Sequence, residues 1–218
     1  KHREISNMTE NEIQEIFNVY NRIKPEIEEK IRWFTKTGIE LNRTKILNEI
    51  CFCILTPQSR AEVCWRCIEE LNKSKILYSG TKKQIQKYLK GVRFYRTKAE
   101  SIIMARSSLQ KVINILKKEK DPLKIRQYLV KNIRGFGMKE ATHFLRNIGK
   151  SDNLAILDRH ILRKLQRIKV IQEIPTSVSV KKYQEIEKNM QRFANRIQIP
   201  VSHLDFIFWY QETGRIFK

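Results

Sequence analysis

Residues 134–149 read RGFGMKEATHFLRNIG, with two glycines one residue apart, Gly135 and Gly137, followed at once by a lysine, Lys139. Such a pair permits a tight turn with positive φ and leaves backbone N–H groups free of side-chain cover. Together with the start of the helix that follows, those amides suit a phosphate oxygen. The same spacing also suits an ordinary turn between two helices. Lys139 falls in the first turn of the second helix. There the positive end of the helix dipole favours the neutral amine, and shielding from water would favour it further, which makes a nucleophile available. On position alone, in a chain this basic, the simpler reading is a surface lysine. Asp158, in LAILDRHIL, is placed to cap the N-terminus of a helix over 159–168.

Both residues depend on the elements around them. Upstream of the glycines, DPLKIRQYLVKN starts a helix well, with Asp121 as N-cap and Pro122 in the first turn. Downstream, Ala141, Phe144, Leu145 and Ile148 keep helical spacing, and Gly149 is a C-terminal stop. The pattern over about 122–148 is helix, glycine hairpin, helix. Capping boxes or near variants begin at Thr9, Ser59, Thr81, Thr97 and Ser202, each in front of apolar periodicity. With 7 glycines and no Asn-Gly or Asp-Gly hairpin signal, the expected fold is all-α. Breaks are expected near Pro25, Thr37 to Arg43, Pro57, Gly80, Gly91, Gly149 to Asn153 and Pro175, and the LAIL run before Asp158 reads as extended.

Forty-four Lys and Arg against 23 Asp and Glu give a net charge of +21, so the natural partners are polyanions. The basic residues are spread along the chain, which points to a folded basic surface rather than a disordered arm. No apolar run approaches the roughly 20 residues of a membrane span, and no signal-peptide pattern opens the chain, so an intracellular protein is expected. Cys51, Cys53, Cys64 and Cys67 invite a metal reading, but they fall on apolar stripes of two helices and suit core packing better. Disulfides are not expected in that compartment. In VRFYR, Phe94 is interleaved with Arg93 and Arg96, which favours a nucleic-acid face.

The run GFGMKEATHFLRN followed by LAILDRHIL resembles the helix-hairpin-helix DNA glycosylase superfamily, and more narrowly the archaeal-type second class of 8-oxoguanine DNA glycosylase/AP lyases. CFCILT at Cys51, RFYRTKAE at Arg93, EIP at Glu173, KKYQEIE at Lys181, LDFIFWYQETG at Leu204 and a final lysine carry the likeness from about residue 26 onward. The resemblance implies two helical subdomains, 1–43 with 159–218 and a central bundle over 44–158, with the active site in the cleft between them. It gives Lys139 the role of nucleophile at the sugar C1′, forming a Schiff base that leads to β-elimination. Asp158 becomes the carboxylate that stabilises positive charge on the sugar.

Gly135 and Gly137 would hold phosphates near the lesion. His160 would either add a phosphate contact or be structural. Because the lesion must leave the stack, a wedge and a receiving pocket are needed. TPQSRA at Thr56 stands where the class has TAN followed by an aromatic and a small residue, so Pro57 and Arg60 are departures; Gln58 is the wedge candidate, and Ser59 a helix cap. The resemblance implies a base sandwiched between Phe94 and Trp209, with Lys218 contributing to guanine recognition, although LDFIFWY also suits Trp209 to a core.

No cofactor or metal is expected, since no cysteine follows Cys67 to hold the cluster of the endonuclease III family. The expected partner is duplex DNA containing an oxidised guanine, bound by a monomer in the cytoplasm or nucleoid of a prokaryote. Two other readings remain open here: a glycosylase of the same superfamily for another lesion, and a noncatalytic DNA-binding module.

Overall fold

The computed structural model describes residues 10–218, and among these every regular element is a helix. The chain runs α1 (Glu10–Glu40), α2 (Arg43–Leu55), α3 (Ala61–Lys73), α4 (Ile76–Ser79), α5 (Lys82–Tyr88), α6 (Tyr95–Lys118), α7 (Pro122–Asn132), α8 (Met138–Asn147), α9 (Arg159–Arg167), α10 (Val180–Ile197) and α11 (Val201–Thr213). The Thr9 capping box lies outside the described residues. No helix among them is long and apolar enough to cross a membrane.

The chain divides into two units. Among the described residues, one comprises 10–33 with Ser151–Ile216; the other comprises Phe34–Lys150 with Phe217–Lys218. These boundaries differ from those read from the sequence, 43/44 and 158/159. The first boundary shifts because α1 continues unbroken to Glu40 and its last turns dock within the second unit through glycine, and the second because the segment before Asp158 is hydrogen-bonded to α10. A Cβ on Gly38 would lie 1.9 Å from the Ile148 carbonyl oxygen, and one on Gly149 2.4 Å from the Thr35 Cα. Gly149 also needs its φ of +59° to end the α8 segment.

The break expected at Pro25 is absent, because α1 passes through it. Proline removes one intrahelical bond, to the carbonyl four residues back. Pro25 and Asn21 both lie on the exposed face, where water satisfies that carbonyl. Ile16, Ile23, Ile27 and Phe34 form the buried stripe of the helix.

In the second unit, α2 is the central element, packed on α6, α3 and α8, with every residue from Glu49 to Leu55 buried. That explains its nearly continuous apolar sequence. All four cysteines are buried and unbonded to one another, as their place on the apolar stripes implied. Thr81 and Gln84 form the expected capping box at α5, and Asp121 with Pro122 starts α7.

Three other expected caps differ. Arg60 rather than Ser59 precedes α3, because the Ser59 hydroxyl accepts hydrogen bonds from the Arg93 N–H (3.0 Å) and the Lys98 ammonium (3.2 Å). Thr97 lies inside α6, which Phe94 starts from a left-handed conformation, while Glu100 pairs with Lys82 and Arg134. Ser202 lies inside α11, since Pro200 fixes the backbone at the helix start.

In the first unit, α11 packs on α9 and α10. The LAIL segment is non-helical and buried. Side chains of α10 satisfy its backbone in place of a neighbouring strand. The Ala155 N–H donates to Glu187 Oε1 (2.9 Å), and the Tyr183 hydroxyl donates to the Ala155 carbonyl (2.6 Å). This clamp delivers Asp158 to the start of α9.

Candidate active site

Helices α7 and α8 pack together as the two arms of the hairpin. Its two glycines have different reasons to be glycine. Gly135 has φ +91°, a conformation side chains rarely adopt. Gly137 does not share the positive φ expected for the pair: at φ −102° and ψ −169° it is extended. Its constraint is space, since a Cβ would lie 3.1 Å from Glu140 Oε2. That carboxylate already accepts the Gly137 N–H at 3.0 Å. The Gly137 amide is thus engaged by the protein itself, and the amides left for an outside anion in the first turn are those of Met138, Lys139 and Glu140, ahead of the first intrahelical bond from Ala141 to the Gly137 carbonyl.

Lys139 occupies that first turn, its side chain 20% exposed, with its Nζ 3.8 Å from Glu140 Oε1. Next on the same face, one turn along α8, is His143, which is buried and stands edge-on to Phe52 with ring centroids 5.5 Å apart. Burial, together with the cations Lys139, Arg146 and Lys218, holds His143 well below the usual histidine range, so it is neutral.

The same unit holds a buried polar cluster that sequence reading missed. Glu49, 1% exposed on α2, accepts from Asn147 Nδ2 at 2.9 Å and pairs with the Lys218 ammonium. Lys218 in turn lies 3.4 Å from the centroid of the Trp65 ring, while Phe217 packs near Phe52. The Lys218 amine is therefore committed to Glu49 and Trp65, which tether the segment carrying it. The available signal was a lone carboxylate inside the apolar run ILNEICFCIL. A charge placed there has to find a partner.

Gln58 and Phe94 lie in the same unit, both exposed and both left-handed, with φ of +55° and +56°. The Arg93 guanidinium lies 5.1 Å from the centroid of the Phe94 ring, and Arg96 donates to the Tyr95 hydroxyl at 3.3 Å. Phe94 is 54% exposed, so an apolar ring is presented to solvent between cations.

In the other unit, Asp158 caps α9, its Oδ1 accepting the Ile161 N–H at 2.8 Å. No other hydrogen bond to this carboxylate forms among the described residues, so Oδ2 remains available. His160 Nδ1 lies 2.8 Å from Glu212 Oε1, and its ring stands edge-on to Trp209 at 5.6 Å between centroids. Both of these are structural contacts of the kind left open for His160. Trp209 is partly exposed, and its indole Nε1 is buried without a hydrogen-bond partner. No group of three or more His, Cys, Asp or Glu suited to a metal occurs among the described residues.

Chemically, the second unit offers anion-seeking amides, an amine at a helix start and an aromatic ring flanked by arginines. The first unit offers a carboxylate with one oxygen anchored and one not.

Comparison with known proteins places these features in a context. Residues 27–199 match the family model described as 8-oxoguanine DNA glycosylase. A protein of Fusobacterium nucleatum named 8-oxoguanine DNA glycosylase/AP lyase is 37% identical over 217 residues, covering 97% of this chain and 100% of its own length. The Methanocaldococcus jannaschii 8-oxoguanine glycosylase/lyase, solved in complex with a 15mer DNA containing 8-oxoguanine, superposes with a TM-score of 0.87 at 36% identity over 94% of this chain and 99% of that one. The 8-oxoguanine DNA glycosylase of Thermotoga maritima superposes with a TM-score of 0.88 at 33% identity, covering 96% of this chain and 99% of that one.

Proposed function

The chain belongs to the 8-oxoguanine DNA glycosylase family, and on that premise we propose that it removes 8-oxoguanine from duplex DNA and cleaves the resulting abasic site. Lys139 is the nucleophile. Its amine attacks C1′, the bond from C1′ to the base nitrogen breaks, and the base leaves with the electron pair and takes up a proton. Opening of the sugar ring gives a Schiff base. Loss of a C2′ proton then expels the 3′ phosphate by β-elimination.

Asp158 stabilises the positive charge that develops on the sugar as the base departs. The capping hydrogen bond from Ile161 fixes the carboxylate before substrate arrives. That preorganisation means little rearrangement is needed in the transition state. The hairpin amides beside Gly135 and Gly137 bind phosphate, and the net charge of +21 supplies sequence-independent affinity. Gln58 fills the gap left by the extruded base. Phe94 and Trp209 stack on the base, and Lys218, held by Glu49 and Trp65, contributes to recognition of the guanine. His160 positions Trp209 and Glu212. The protein acts as a monomer on the DNA of a prokaryotic cell.

The observation that carries this reading is the position of Lys139, a partly shielded amine in the first turn of α8 directly after the glycine turn. Borohydride trapping on a duplex with one 8-oxoguanine tests it, with undamaged guanine as the control. A covalent adduct formed only with the lesion, and lost in Lys139→Gln, is the expected result. DNA binding without any adduct would overturn the lyase mechanism and favour a noncatalytic binder. An adduct with another lesion but not with 8-oxoguanine would keep the mechanism and replace the substrate.

A further inference from the structure

Lys98 is the one lysine among the buried polar residues of the described chain, 7% exposed on α6. Its ammonium donates to the Leu55 carbonyl (2.7 Å), the Pro57 carbonyl (2.7 Å) and the Ser59 hydroxyl (3.2 Å), so each of its three hydrogens has an acceptor. Leu55 ends α2, where the carbonyls lack intrahelical partners and carry the negative end of the helix dipole. The cation therefore fastens the end of α2 and the turn that follows.

Ser59 makes the second connection. Its oxygen accepts from Lys98 and, at 3.0 Å, from the N–H of Arg93, while its own N–H donates to the Thr56 carbonyl at 2.9 Å. One hydroxyl thus ties residues 56–59 to residues 93–94 across 34 positions of sequence. Each tied segment carries one exposed side chain in the left-handed region, Gln58 and Phe94. A non-glycine residue held there costs of order 1 kcal/mol or more and persists only when its surroundings impose it. Two such residues, one in each segment joined by a single hub, call for a common cause.

We infer that Lys98 and Ser59 form a positioning hub that fixes the wedge Gln58 and the stacking ring of Phe94 relative to each other, so that filling the vacated stack and receiving the extruded base occur in one fixed geometry. The inference rests on the proposed roles of Gln58 and Phe94. Neither Lys98 nor Ser59 touches the reacting atoms. Burial, the main cause, lowers the affinity of Lys98 for its proton, consistent with a group turned inward rather than toward DNA.

The test uses Ser59→Ala, a small change at a partly buried site, with Ser59→Thr to restore the hydroxyl. Two single-turnover rates are measured at saturating enzyme: base release from an 8-oxoguanine duplex, and strand cleavage of a duplex with a preformed abasic site. Misplacement of positioning groups by about 1 Å costs up to about 100-fold. Ser59→Ala should slow base release by about tenfold or more and leave abasic-site cleavage within about twofold. Ser59→Thr should recover most of the loss. A duplex carrying 2-aminopurine opposite the lesion should lose its unstacking signal in Ser59→Ala.

Gln58→Ala and Phe94→Ala serve as companions. If both slow base release while Ser59→Ala does not, the hub is overturned and the wedge and stacking roles stand. If neither slows it, those roles fail and the hub with them. Equal slowing of both reactions in Ser59→Ala, unrepaired by threonine, would mean a general loss of fold and would also overturn the hub.

Discussion

Replacing Lys218 with Met removes one half of a buried ion pair whose other half cannot move. Glu49 is 1% exposed and fixed on α2, whereas Lys218 is 8% exposed in its side chain and lies beyond the end of α11. Methionine can keep the apolar contact with Trp65, but it strands the carboxylate with Asn147 as its one hydrogen-bond donor. Breaking a buried pair from one side costs about 3–5 kcal/mol. The opposite change, Glu49→Gln, leaves an amide that still accepts from Asn147, and Lys218 can turn outward to water. Its cost should be nearer the net worth of one charged hydrogen bond, about 1.5–3 kcal/mol.

The expected result is an asymmetry: Lys218→Met is the more destabilising, and adding Glu49→Gln to it restores stability rather than removing more. Urea unfolding reads this directly as shifts in midpoint at constant slope. At about 2–4 °C per kcal/mol for a chain of this size, Lys218→Met should lower Tm by about 6 °C or more. If Glu49→Gln is as damaging as Lys218→Met, or if the double variant is worse than either, the argument from a stranded carboxylate is wrong.

Gly135→Ala should cost about 1–3 kcal/mol through backbone strain alone, since its added methyl would meet the Ser101 hydroxyl at an ordinary 3.6 Å; thermal unfolding gives the value. Gly38→Ala should be far worse, because the clash is with the backbone of Ile148, and circular dichroism of the purified variant should show lost helix or no folded product. His143 and His203 are both held below the usual histidine range, in each case mainly by burial. The unfolded chain therefore binds more protons below about pH 6.5, and stability is fully present above that value and lost as pH falls beneath it. Each histidine contributes a slope of at most about 1.4 kcal/mol per pH unit. Chemical denaturation between pH 7.5 and 5 should show the decline, and His143→Phe should make it shallower; an unchanged slope would place the proton uptake elsewhere.

The hairpin was legible because its signals are local. Asp121 and Pro122 start α7, glycine ends its turn, and the spacing of Ala141, Phe144 and Leu145 sets the buried face of α8. The cysteines were legible for the same reason, each falling on an apolar stripe. What escaped were pairings over long sequence separation. Ser59 looks like a cap in sequence, yet its oxygen is taken by groups 34 and 39 residues away. Glu49 and Lys218 are 169 residues apart, and nothing in either neighbourhood names the other. Gly137 was a local exception: it resembled Gly135 in type while serving a different need, because Glu140, only three residues on, folds its carboxylate back onto the Gly137 N–H, a rotamer choice that residue types alone do not fix.

The buried cysteines bear on the conditions under which such a protein works. Oxidised guanine accumulates where oxidants do, and the usual casualty among side chains is a thiolate. Burial pushes the Cys51 and Cys64 thiols up to about 12, Cys53 well above its ordinary value, and Cys67 up as well. At neutral pH these thiols stay protonated, and it is the thiolate that reacts with peroxide. The packing that fills the core around α2 therefore also makes the protein chemically quiet toward the agents that create its substrate, and peroxide doses that inactivate enzymes with exposed thiolates should leave its activity intact.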